Sequence, residues 1–468
     1  MRQPQPLDLS DTIVAQATLP GRGALAIVRL SGPRAHAIAA RIAERWPDVP
    51  RQATRSTLRD AAGEPIDDAL VLRYDAPASY TGQDAVEFIT HGGLIVPTSV
   101  VAAAIALGAR LAEPGEFTRR AVLEGKLDLL QAEAAGDLVS ATSSAAQRTA
   151  LGQLDGGLSR RVLALRDEIV ALEALIAYDI DFPEEDDGPI DPARIREAAA
   201  HLASSLQALL DTAPTGAMVR EGALVVLAGV PNAGKSSLFN ALLGESRAIV
   251  TEIPGTTRDA IEAVIDRPRW PIRLVDTAGL REALDPVERL GVQVSESYVR
   301  RAALVLVCGD DAASLETAAT AVRAAAGDAP VMLVRTKSDL SSAADLDRDA
   351  LSLGSDLHRR AACAVSAETG QGLRDLIERV DGALASRAAL PEADADAPLL
   401  TQERHRAAVA AALTEAREFE AAWASGAVPA SVAAVHLRTA AAALETLIGR
   451  VDVEDVLDEL FSRFCVGK

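Results

Sequence analysis

The chain has 468 residues, of which 49% are hydrophobic and 24% are charged, and its formal net charge is −20. A length and composition of this kind predict a multidomain globular protein of roughly three domains. The acidic balance argues against a broad, non-specific nucleic-acid surface, so any RNA contact must be local or shared with a partner.

Neither the cysteines nor the apolar segments point to secretion or to a membrane. Cys308, Cys363 and Cys465 share no metal-ligand spacing and suggest no disulfide framework. The first residues lack the apolar core of a signal peptide, and the longest apolar run, 100–107, is too short to span a bilayer. We therefore expect a cytoplasmic protein with no membrane partner.

The first 120 or so residues predict an α+β domain, because short β-like runs alternate with helical patterns. The predicted elements are strands at 12–18 and 25–30 on either side of a Pro-Gly turn, a helix at 31–46, a strand at 85–90 and a helix that ends near residue 107. From 126 to about 210 the pattern becomes helical, with apolar residues three and four apart. The acidic stretch 181–189 interrupts it and predicts a solvated loop.

Between residues 223 and 380 strands and helices alternate, which is typical of a doubly wound α/β fold. The predicted buried strands are 223–228, 272–275, 304–308, 331–335 and 362–365. A loose acidic linker at 391–398 follows, and helical periodicity resumes at 402. Helical sequence therefore flanks the α/β block on both sides, as expected for an α/β domain inserted into a helical one.

The predicted fold is multidomain: an α+β N-terminal domain, an α-helical domain in two parts and an inserted α/β domain. The predicted boundaries are 1–122 for the N-terminal domain, 123–217 and 389–468 for the helical domain, and 218–388 for the insertion.

A phosphate-binding motif follows the strand at 223–228. The sequence Gly229-x-x-x-x-Gly234-Lys235-Ser236 lies between an apolar strand and a helix, which is the context of a P-loop. The backbone N–H groups wrap the β-phosphate, the Lys235 ammonium reaches the β- and γ-oxygens, and Ser236 binds magnesium. The predicted phosphate-binding residues are Asn232, Ala233, Gly234, Lys235, Ser236 and Ser237. This motif alone leaves ATP and GTP both open.

Three later motifs decide the base, each at the end of a strand. In Asp276-Thr277-Ala278-Gly279 the carboxylate suits a magnesium contact through water, and the Gly279 amide can sense the γ-phosphate. In Thr336-Lys337-Ser338-Asp339 the Asp339 carboxylate can accept hydrogen bonds from guanine N1 and N2, a donor pair that adenine lacks. A backbone amide of Ser366-Ala367 can meet guanine O6. Together the motifs predict a P-loop GTPase, although Thr336 stands where Asn is commoner.

Two residues shape the predicted mechanism. Leu280 stands where Ras-like proteins place the glutamine that orients the attacking water. Asn232 lies inside the P-loop, opposite the switch sequence 255–259. The Asn232 carbonyl and that loop can hold a monovalent cation where other GTPases place an arginine finger. The alternative is that Asn232 only hydrogen-bonds the loop.

Lysine is rare in this chain, because four of its 47 basic residues are lysines. Lys235 and Lys337 belong to the nucleotide motifs, and the other two are Lys126 and Lys468. An ammonium is a compact point charge that the planar guanidinium of Arg does not replace in a tight site. The pattern therefore marks Lys126 and Lys468 as candidate binding residues, unless it is an accident of composition.

The chain resembles the bacterial MnmE/TrmE family of tRNA-modification GTPases essentially from end to end. Beyond the nucleotide motifs, the matching strings are DTIVAQAT at 11–18, PGEFT at 114–118, KLDL at 126–129, DIDFP at 179–183 and FCVGK at 464–468. The resemblance implies that the N-terminal domain binds folate and forms a homodimer. It implies that the inserted domain is a potassium-dependent GTPase.

The resemblance further implies a reaction and its partners. With an FAD-binding partner subunit, the family adds a carboxymethylaminomethyl-type group at carbon 5 of the wobble uridine of certain tRNAs. A tetrahydrofolate derivative, in its 5,10-methylene or 5-formyl form, supplies the one-carbon unit, and FAD is carried by the partner. Cys465 is a candidate thiol in the matching tail, but a small hydrophobic side chain is its expected role.

The resemblance also assigns residues. Asn232, Thr251, Ile253 and Thr256 would surround potassium, and Ser236 and Thr257 would bind magnesium. Glu288 would position the hydrolytic water and, with Lys235 and Asn232, forms the expected catalytic set. The folate contacts would be Arg29, Glu87, Lys126 and Lys468. The competing class is a ribosome-assembly GTPase, which often carries a basic RNA-binding module; the sequence has no such module.

Overall fold

The computed structural model describes residues 9–181, 191–245, 248–249, 260–277, 297–326, 329–340, 363–387, 398–426, 428–449 and 467. These residues form two compact units. The first is drawn from residues 1–136, 154–166 and 441–468, and the second from residues 137–153 and 167–440.

The first unit is built on a six-stranded, mostly antiparallel sheet. Its strands are β1 (Ile13–Gln16), β2 (Leu25–Ser31), β3 (Thr54–Arg59), β4 (Pro65–Tyr74), β5 (Ala85–His91) and β6 (Arg110–Leu111), in the order β3-β4-β5-β2-β1-β6. The helices of its N-terminal part are α1 (Ala35–Ile42), α2 (Val96–Ala106) and α3 (Glu116–Leu123). Only β6 runs parallel to its neighbour, β1.

The two faces of this sheet have different roles. Residues of α1 at positions 35, 38, 39 and 42 are buried with Val28, Leu30 and Phe88 of the sheet, so this helix and this face form the apolar core. Successive side chains of a strand point to opposite faces, which places Arg29 and Glu87 on the other face. Register pairs these two residues directly across β2 and β5.

The predicted helix at 31–46 is wrong at both ends, because α1 spans only Ala35–Ile42. At its start the Ala35 N–H donates to Gly32 O in a turn, and Gly32 has a φ of +131°, which a helix does not use. At its end Ala43 is extended and forms a β-bridge with Leu58. The predicted strands at 12–18, 25–30 and 85–90 correspond to β1, β2 and β5.

Helices from both sides of the α/β segment pack together. In chain order they are α4 (Leu129–Ser140), α5 (Ser144–Leu154), α6 (Gly157–Asp181), α7 (Pro192–Leu210) and α8 (Ala213–Glu221), and later α12 (Glu403–Ser425) and α13 (Ala430–Ile448). Among these helices, α7 packs against α12, and Arg417 Nη2 of α12 donates to Gln207 Oε1 of α7 at 2.9 Å. The predicted helical domain with an α/β insertion is therefore confirmed. The predicted loop 181–189 is wrong at its first residue, because Asp181 is the last residue of α6. The rest of that loop and most of the linker lie outside the described residues.

One helix within the described ranges, α13, is long and apolar enough to cross a membrane by length and composition alone. Of its most apolar 18-residue window, 39% is buried inside the protein. Core helices of non-membrane proteins meet the same criteria, so this is weak evidence for a span.

The second unit contains a seven-stranded sheet. Its strands are β7 (Ala223–Gly229), β8 (Ala248–Ile249), β9 (Ala260–Ile265), β10 (Ile272–Thr277), β11 (Leu304–Gly309), β12 (Val331–Arg335) and β13 (Cys363–Ala364), in the order β13-β12-β11-β7-β10-β9-β8. Its helices are α9 (Lys235–Glu245), α10 (Ala312–Ala326) and α11 (Leu373–Arg387). The central strands are parallel and buried on both faces, which explains their continuous apolar sequences. The predicted α/β class is confirmed, and two strands are added, β8 and β9, the latter antiparallel to β10.

Candidate nucleotide-binding site

The phosphate-binding loop connects β7 to α9, as the sequence predicts. Gly234 has a φ of +80°, and Asn232 adopts the left-handed region with a φ of +63°, so the loop turns back on itself before the helix begins. Lys235 is buried, and its ammonium donates to Gly229 O and Val230 O, both at 3.1 Å. This holds the positive charge over the start of the helix, where phosphate oxygens bind.

Ser236 and Asp276 form a pair that fits magnesium. The Ser236 hydroxyl donates to Asp276 Oδ2 at 2.6 Å, which joins the P-loop helix to the end of β10. Asp276 is 9% exposed, and its Oδ1 is buried with no hydrogen-bond partner. A buried carboxylate oxygen in that condition is costly unless it meets a cation or water. Magnesium would be held here by Ser236 directly and by Asp276 through water.

The base-recognition motifs line one cleft of about 600 Å³. Its lining residues are Gly234, Ser237, Leu238, Asn240, Ala241, Thr336, Lys337, Asp339, Val365, Ala367 and Glu368. The cleft thus brings together Ser237, Asp339 and Ala367, which lie far apart in sequence. Ser366 is fully buried behind it, and its hydroxyl accepts from the Thr369 N–H at 3.1 Å.

Thr336 and Lys337 tie this cleft to the P-loop. Thr336 Oγ1 lies 2.7 Å from Ala233 O and 3.1 Å from Gly309 O, and Lys337 Nζ donates to Asn232 O at 2.8 Å. A hydroxyl has a single proton, so Thr336 shares it between two buried carbonyls. An Asn amide could donate one proton to each carbonyl. The shared hydroxyl proton explains how Thr336, where Asn is commoner, still contacts the P-loop.

We predict that Thr336→Asn tightens GDP binding by about fivefold, the value of one added hydrogen bond. Thr336→Ala should weaken it by a similar factor, because the Ala233 carbonyl then loses its hydroxyl donor, whereas Gly309 O keeps the Thr336 N–H as a donor at 2.9 Å. Stopped-flow release of a fluorescent GDP measures both variants. Equal release rates for the Asn and Ala variants would show that this side chain does not set nucleotide retention.

Several predicted site residues lie outside the described residues. They are Thr251, Ile253, Thr256, Thr257, Gly279, Leu280, Glu288 and Lys468. The potassium ligands, Asn232 among them, and the predicted catalytic Glu288 therefore stay predictions.

A second group of predicted site residues lies on the face of the first unit's sheet that is opposite α1. Arg29 Nε and Nη2 both lie 2.8 Å from Glu87 Oε1, and the Tyr74 hydroxyl donates to Glu87 Oε2 at 3.1 Å. Burial and the Glu87 carboxylate raise the pKa of the Tyr74 phenol, so it stays protonated as a donor. The Arg29 guanidinium lies 5.5 Å from the ring centroid of Tyr80 and 5.6 Å from that of Phe117.

Lys126 and Gly467 both lie in the first unit. A Cβ at Gly82, two residues beyond Tyr80, would lie 3.0 Å from Lys126 Cγ, so the lysine stem passes directly over this glycine. Gly467 lies against the end of β1: a Cβ added at this glycine would lie 2.8 Å from Ala17 Cα. The residue before Lys468 is thus brought next to the strand that pairs with β2, in which Arg29 lies.

Sequence reasoning missed three residues of these sites. Asp310 accepts from Lys337 Nζ at 3.0 Å, and Tyr74 and Tyr80 flank the Arg29–Glu87 pair. Aromatic residues are scarce in this chain, which has four tyrosines in 468 residues, and this scarcity is a signal that could have drawn attention to both tyrosines.

The described cysteines are unreactive thiols. Burial raises the pKa of Cys308 to about 12 and that of Cys363 to about 11.

The strand–loop–helix at Lys235, the Ser236–Asp276 pair and the Asp339 cleft define a P-loop GTPase. Two family models match the chain: "GTP-binding protein TrmE N-terminus" over residues 12–126 and "MnmE helical domain" over residues 129–465. The chain belongs to the MnmE family.

Curated relatives align with the chain over nearly its whole length. It is 42% identical over 461 residues to the tRNA modification GTPase MnmE of Azoarcus sp. (strain BH72), covering 98% of each chain. It is 41% identical over 469 residues to the protein of the same name from Moorella thermoacetica, covering 98% of this chain and 100% of that one. The solved G domain of the T. maritima FeoB iron transporter aligns with 34% of this chain and 97% of its own at 26% identity, with a TM-score of 0.28.

Proposed function

We propose that this protein is a potassium-dependent GTPase that modifies carbon 5 of the wobble uridine of certain tRNAs, together with an FAD-binding partner and a tetrahydrofolate derivative. The observation that carries the proposal is the presence of two separate sites in one MnmE-family chain. One is the guanine-nucleotide cleft of the second unit, and the other is the Arg29–Glu87 cluster of the first.

In the first site each described residue has a role that its geometry supports. The P-loop N–H groups and Lys235 neutralise the phosphates, and Ser236 and Asp276 would hold magnesium, which offsets charge on the β- and γ-oxygens. Asp339 selects guanine by accepting from N1 and N2. Catalysis then depends on positioning and on charge stabilisation, for which Glu288 and potassium are the proposed agents.

Potassium is proposed to lie beside Asn232. Leu280 removes the usual water-orienting amide, so the charge that develops between the β- and γ-phosphates needs another stabiliser. Asn232 is exposed at the loop surface, and its left-handed backbone and the Lys337 bond to its carbonyl fix its position. Its side-chain oxygen is the type of ligand that a hard monovalent cation accepts.

We expect GTP hydrolysis to be at least about tenfold faster in KCl than in NaCl, a modest fraction of the 10³–10⁵ that an arginine finger supplies. Asn232→Ala should remove the difference between the salts and weaken GDP binding by only about tenfold, because Ala at the left-handed φ of +63° costs roughly 1–2 kcal/mol. Initial hydrolysis rates at matched ionic strength measure this, with Asn240→Ala, a side chain at the base cleft, as the control. Equal wild-type rates in the two salts would contradict the potassium proposal.

The second site is proposed to bind the folate. Glu87 Oε2 accepts one hydrogen bond, from Tyr74, and keeps a lone pair for the amino-pyrimidine edge of a pterin, while Arg29 on Oε1 and Tyr74 fix the orientation of the carboxylate. Lys126, and Lys468 beyond Gly467, are cations suited to the carboxylates of the ligand. When bound, the folate derivative would supply the one-carbon unit; the residues named here bind and orient it.

Gly467→Ala should weaken binding of 5-formyltetrahydrofolate by at least about tenfold, the value of one lost charge-assisted hydrogen bond. The reason is steric: Gly467 has a φ of +102°, and a Cβ would strike Gln16 and Ala17, so the tail with Lys468 must move. Lys126→Ala should show a similar loss without any backbone change. Isothermal titration calorimetry measures both.

The matched control is Gly63→Ala, because Gly63 has a similar φ of +87° but no atom within 4 Å of an added Cβ. It should cost stability but not folate affinity. GDP affinity should be unchanged in all three variants. Unaltered folate affinity in both Gly467→Ala and Lys126→Ala would remove the folate assignment.

We further propose a homodimer, a hetero-oligomer with the FAD-binding subunit, and a cytoplasmic location. These rest on the family relationship and on the resemblance of the first unit's sequence to a dimerising folate domain. Mass spectrometry of wobble uridines in a strain that lacks this protein tests the function. Loss of the carbon-5 modification is expected; intact modification with accumulated ribosomal precursors would favour a ribosome-assembly GTPase instead.

A further inference from the structure

The hairpin β9–β10 connects two nucleotide motifs. β9 begins directly after the switch sequence 255–259, and the last two residues of β10 are Asp276, which accepts from the magnesium-site serine, and Thr277. The two strands are paired in continuous antiparallel register from Ala260–Thr277 to Ile265–Ile272. This pairing connects the Asp276 end of the hairpin to its tip, residues 266–271, at the other end of the ladder.

At this tip the Asp266 carboxylate caps helix α5. The Ser144 N–H donates to Asp266 Oδ1 at 3.1 Å, and the Ser144 hydroxyl donates to Asp266 Oδ2 at 2.6 Å. Ser144 is the first residue of α5, where backbone N–H groups have no partner within the helix and the helix dipole favours a negative charge. The cap on α5 is thus supplied from 122 residues away in the chain.

A second, local cap is independent of this one. The Ser143 hydroxyl accepts from the Ala146 N–H at 3.1 Å, entirely within the start of α5. The two neighbouring serines therefore have different roles at the start of α5. Ser143 stabilises the helix by itself, whereas Ser144 connects the helix to the hairpin.

The hairpin tip is also held on its other side. Arg267 binds Asp381 of α11, and Arg148 Nη2, from α5, donates to Pro268 O at 2.8 Å. Below these polar contacts, Ala145 and Trp270 are buried in one apolar cluster. The apolar residues lie where the hairpin meets the helix, while the bonds of Asp266 to Ser144 lie at the exposed surface.

We propose that the Asp266–Ser144 contact is a nucleotide-dependent latch, which reports the state of the GTP site to α5. The proposal rests on the proposed GTPase function of the same unit. Hydrogen bonds weaken steeply with distance and misalignment, so a shift of the hairpin along its axis by about 1 Å breaks both bonds to Ser144. Helix α5 then loses its charged cap while Ser143 continues to hold its first turn.

Hydrogen–deuterium exchange on the full-length protein tests the latch. Peptides that cover the first turn of α5 are compared in the GDP state and with a non-hydrolysable GTP analogue, both in KCl. The expected result for the wild type is a difference of about fivefold in exchange rate between the states, the value of one hydrogen bond. Asp266→Ala and Ser144→Pro should each abolish that difference.

Ser144→Pro removes both donors, and proline is compatible with the first position of a helix, so α5 itself should persist. The matched control is Ser143→Ala, which should raise exchange in both states and keep the difference between them. Equal wild-type exchange in the two states, or a difference that survives Asp266→Ala, would overturn the latch. Failure of the wild type to bind or hydrolyse GTP would instead overturn the proposed function, which separates the two claims.

Discussion

Replacing Asp339 with Asn should weaken GTP binding by roughly 10⁴-fold, the discrimination typical of a site whose buried polar partners are left unmatched. The Asp339 carboxylate accepts two hydrogen bonds from guanine, whereas an Asn amide presents one acceptor and one donor group. The donor would face a donor on guanine N2 but would match the carbonyl that xanthine carries at the same carbon. The variant should therefore bind xanthosine triphosphate and hydrolyse it.

The control for this exchange lies in the same cleft. Glu368 also lines it and is exposed, so Glu368→Gln removes a charge from the same cleft and should not alter base selection. Competition between GTP and xanthosine triphosphate for a fluorescent nucleotide measures both variants. GTP affinity retained in Asp339→Asn would show that the cleft does not recognise guanine.

Replacing Glu288 with Ala should lower the rate of GTP hydrolysis by about 10²–10⁴-fold, the range for loss of a positioned acid–base group. GTP affinity should stay the same, because the residue is expected to act on the attacking water and not on the phosphates or base. Single-turnover hydrolysis and nucleotide titration separate these two effects. The control is Glu282→Ala, which removes a nearby carboxylate of the same segment. A variant with weakened GTP binding and normal turnover would show that Glu288 is misassigned.

The nucleotide site could be predicted from sequence because its parts are local. Each motif is a short string that follows a buried strand, and the parallel strands place these strings at one edge of the sheet. Lys235, Asp339 and Ala367 needed only this rule to be grouped. What the sequence did not reveal was how Thr336 serves in place of Asn, since this depends on two carbonyls from other segments.

Other elements and contacts were harder to predict from the sequence, for physical reasons. β3 buries only Ser56 and Leu58 and is otherwise polar, so it lacks the alternation that marks a strand. The direct pairing of Arg29 with Glu87 follows from the register of β2 and β5, which no local pattern specifies. The cap on α5 by Asp266 is equally non-local. Such contacts are set by tertiary packing, and only the structure places them.

The rarity of lysine proved informative at the two described nucleotide-motif positions. The ammonium groups of Lys235 and Lys337 each donate to backbone carbonyls within the P-loop, in spaces that suit a point charge better than a planar guanidinium. Lys126 lies against Gly82, and its role as a binding residue stays a prediction. Its ligand stays a prediction that the calorimetry above tests.

Reconstitution of the modification with purified components tests the central proposal most directly. The protein, its FAD-binding partner, unmodified tRNA, 5,10-methylenetetrahydrofolate, an amine donor and GTP are incubated in KCl, and the wobble nucleoside is analysed by mass spectrometry. We predict carbon-5 modification that falls to background in NaCl, without folate, or with the Lys235→Ala protein. Modification that proceeds equally in NaCl, or in the absence of GTP, would contradict a potassium-dependent GTPase as its driver.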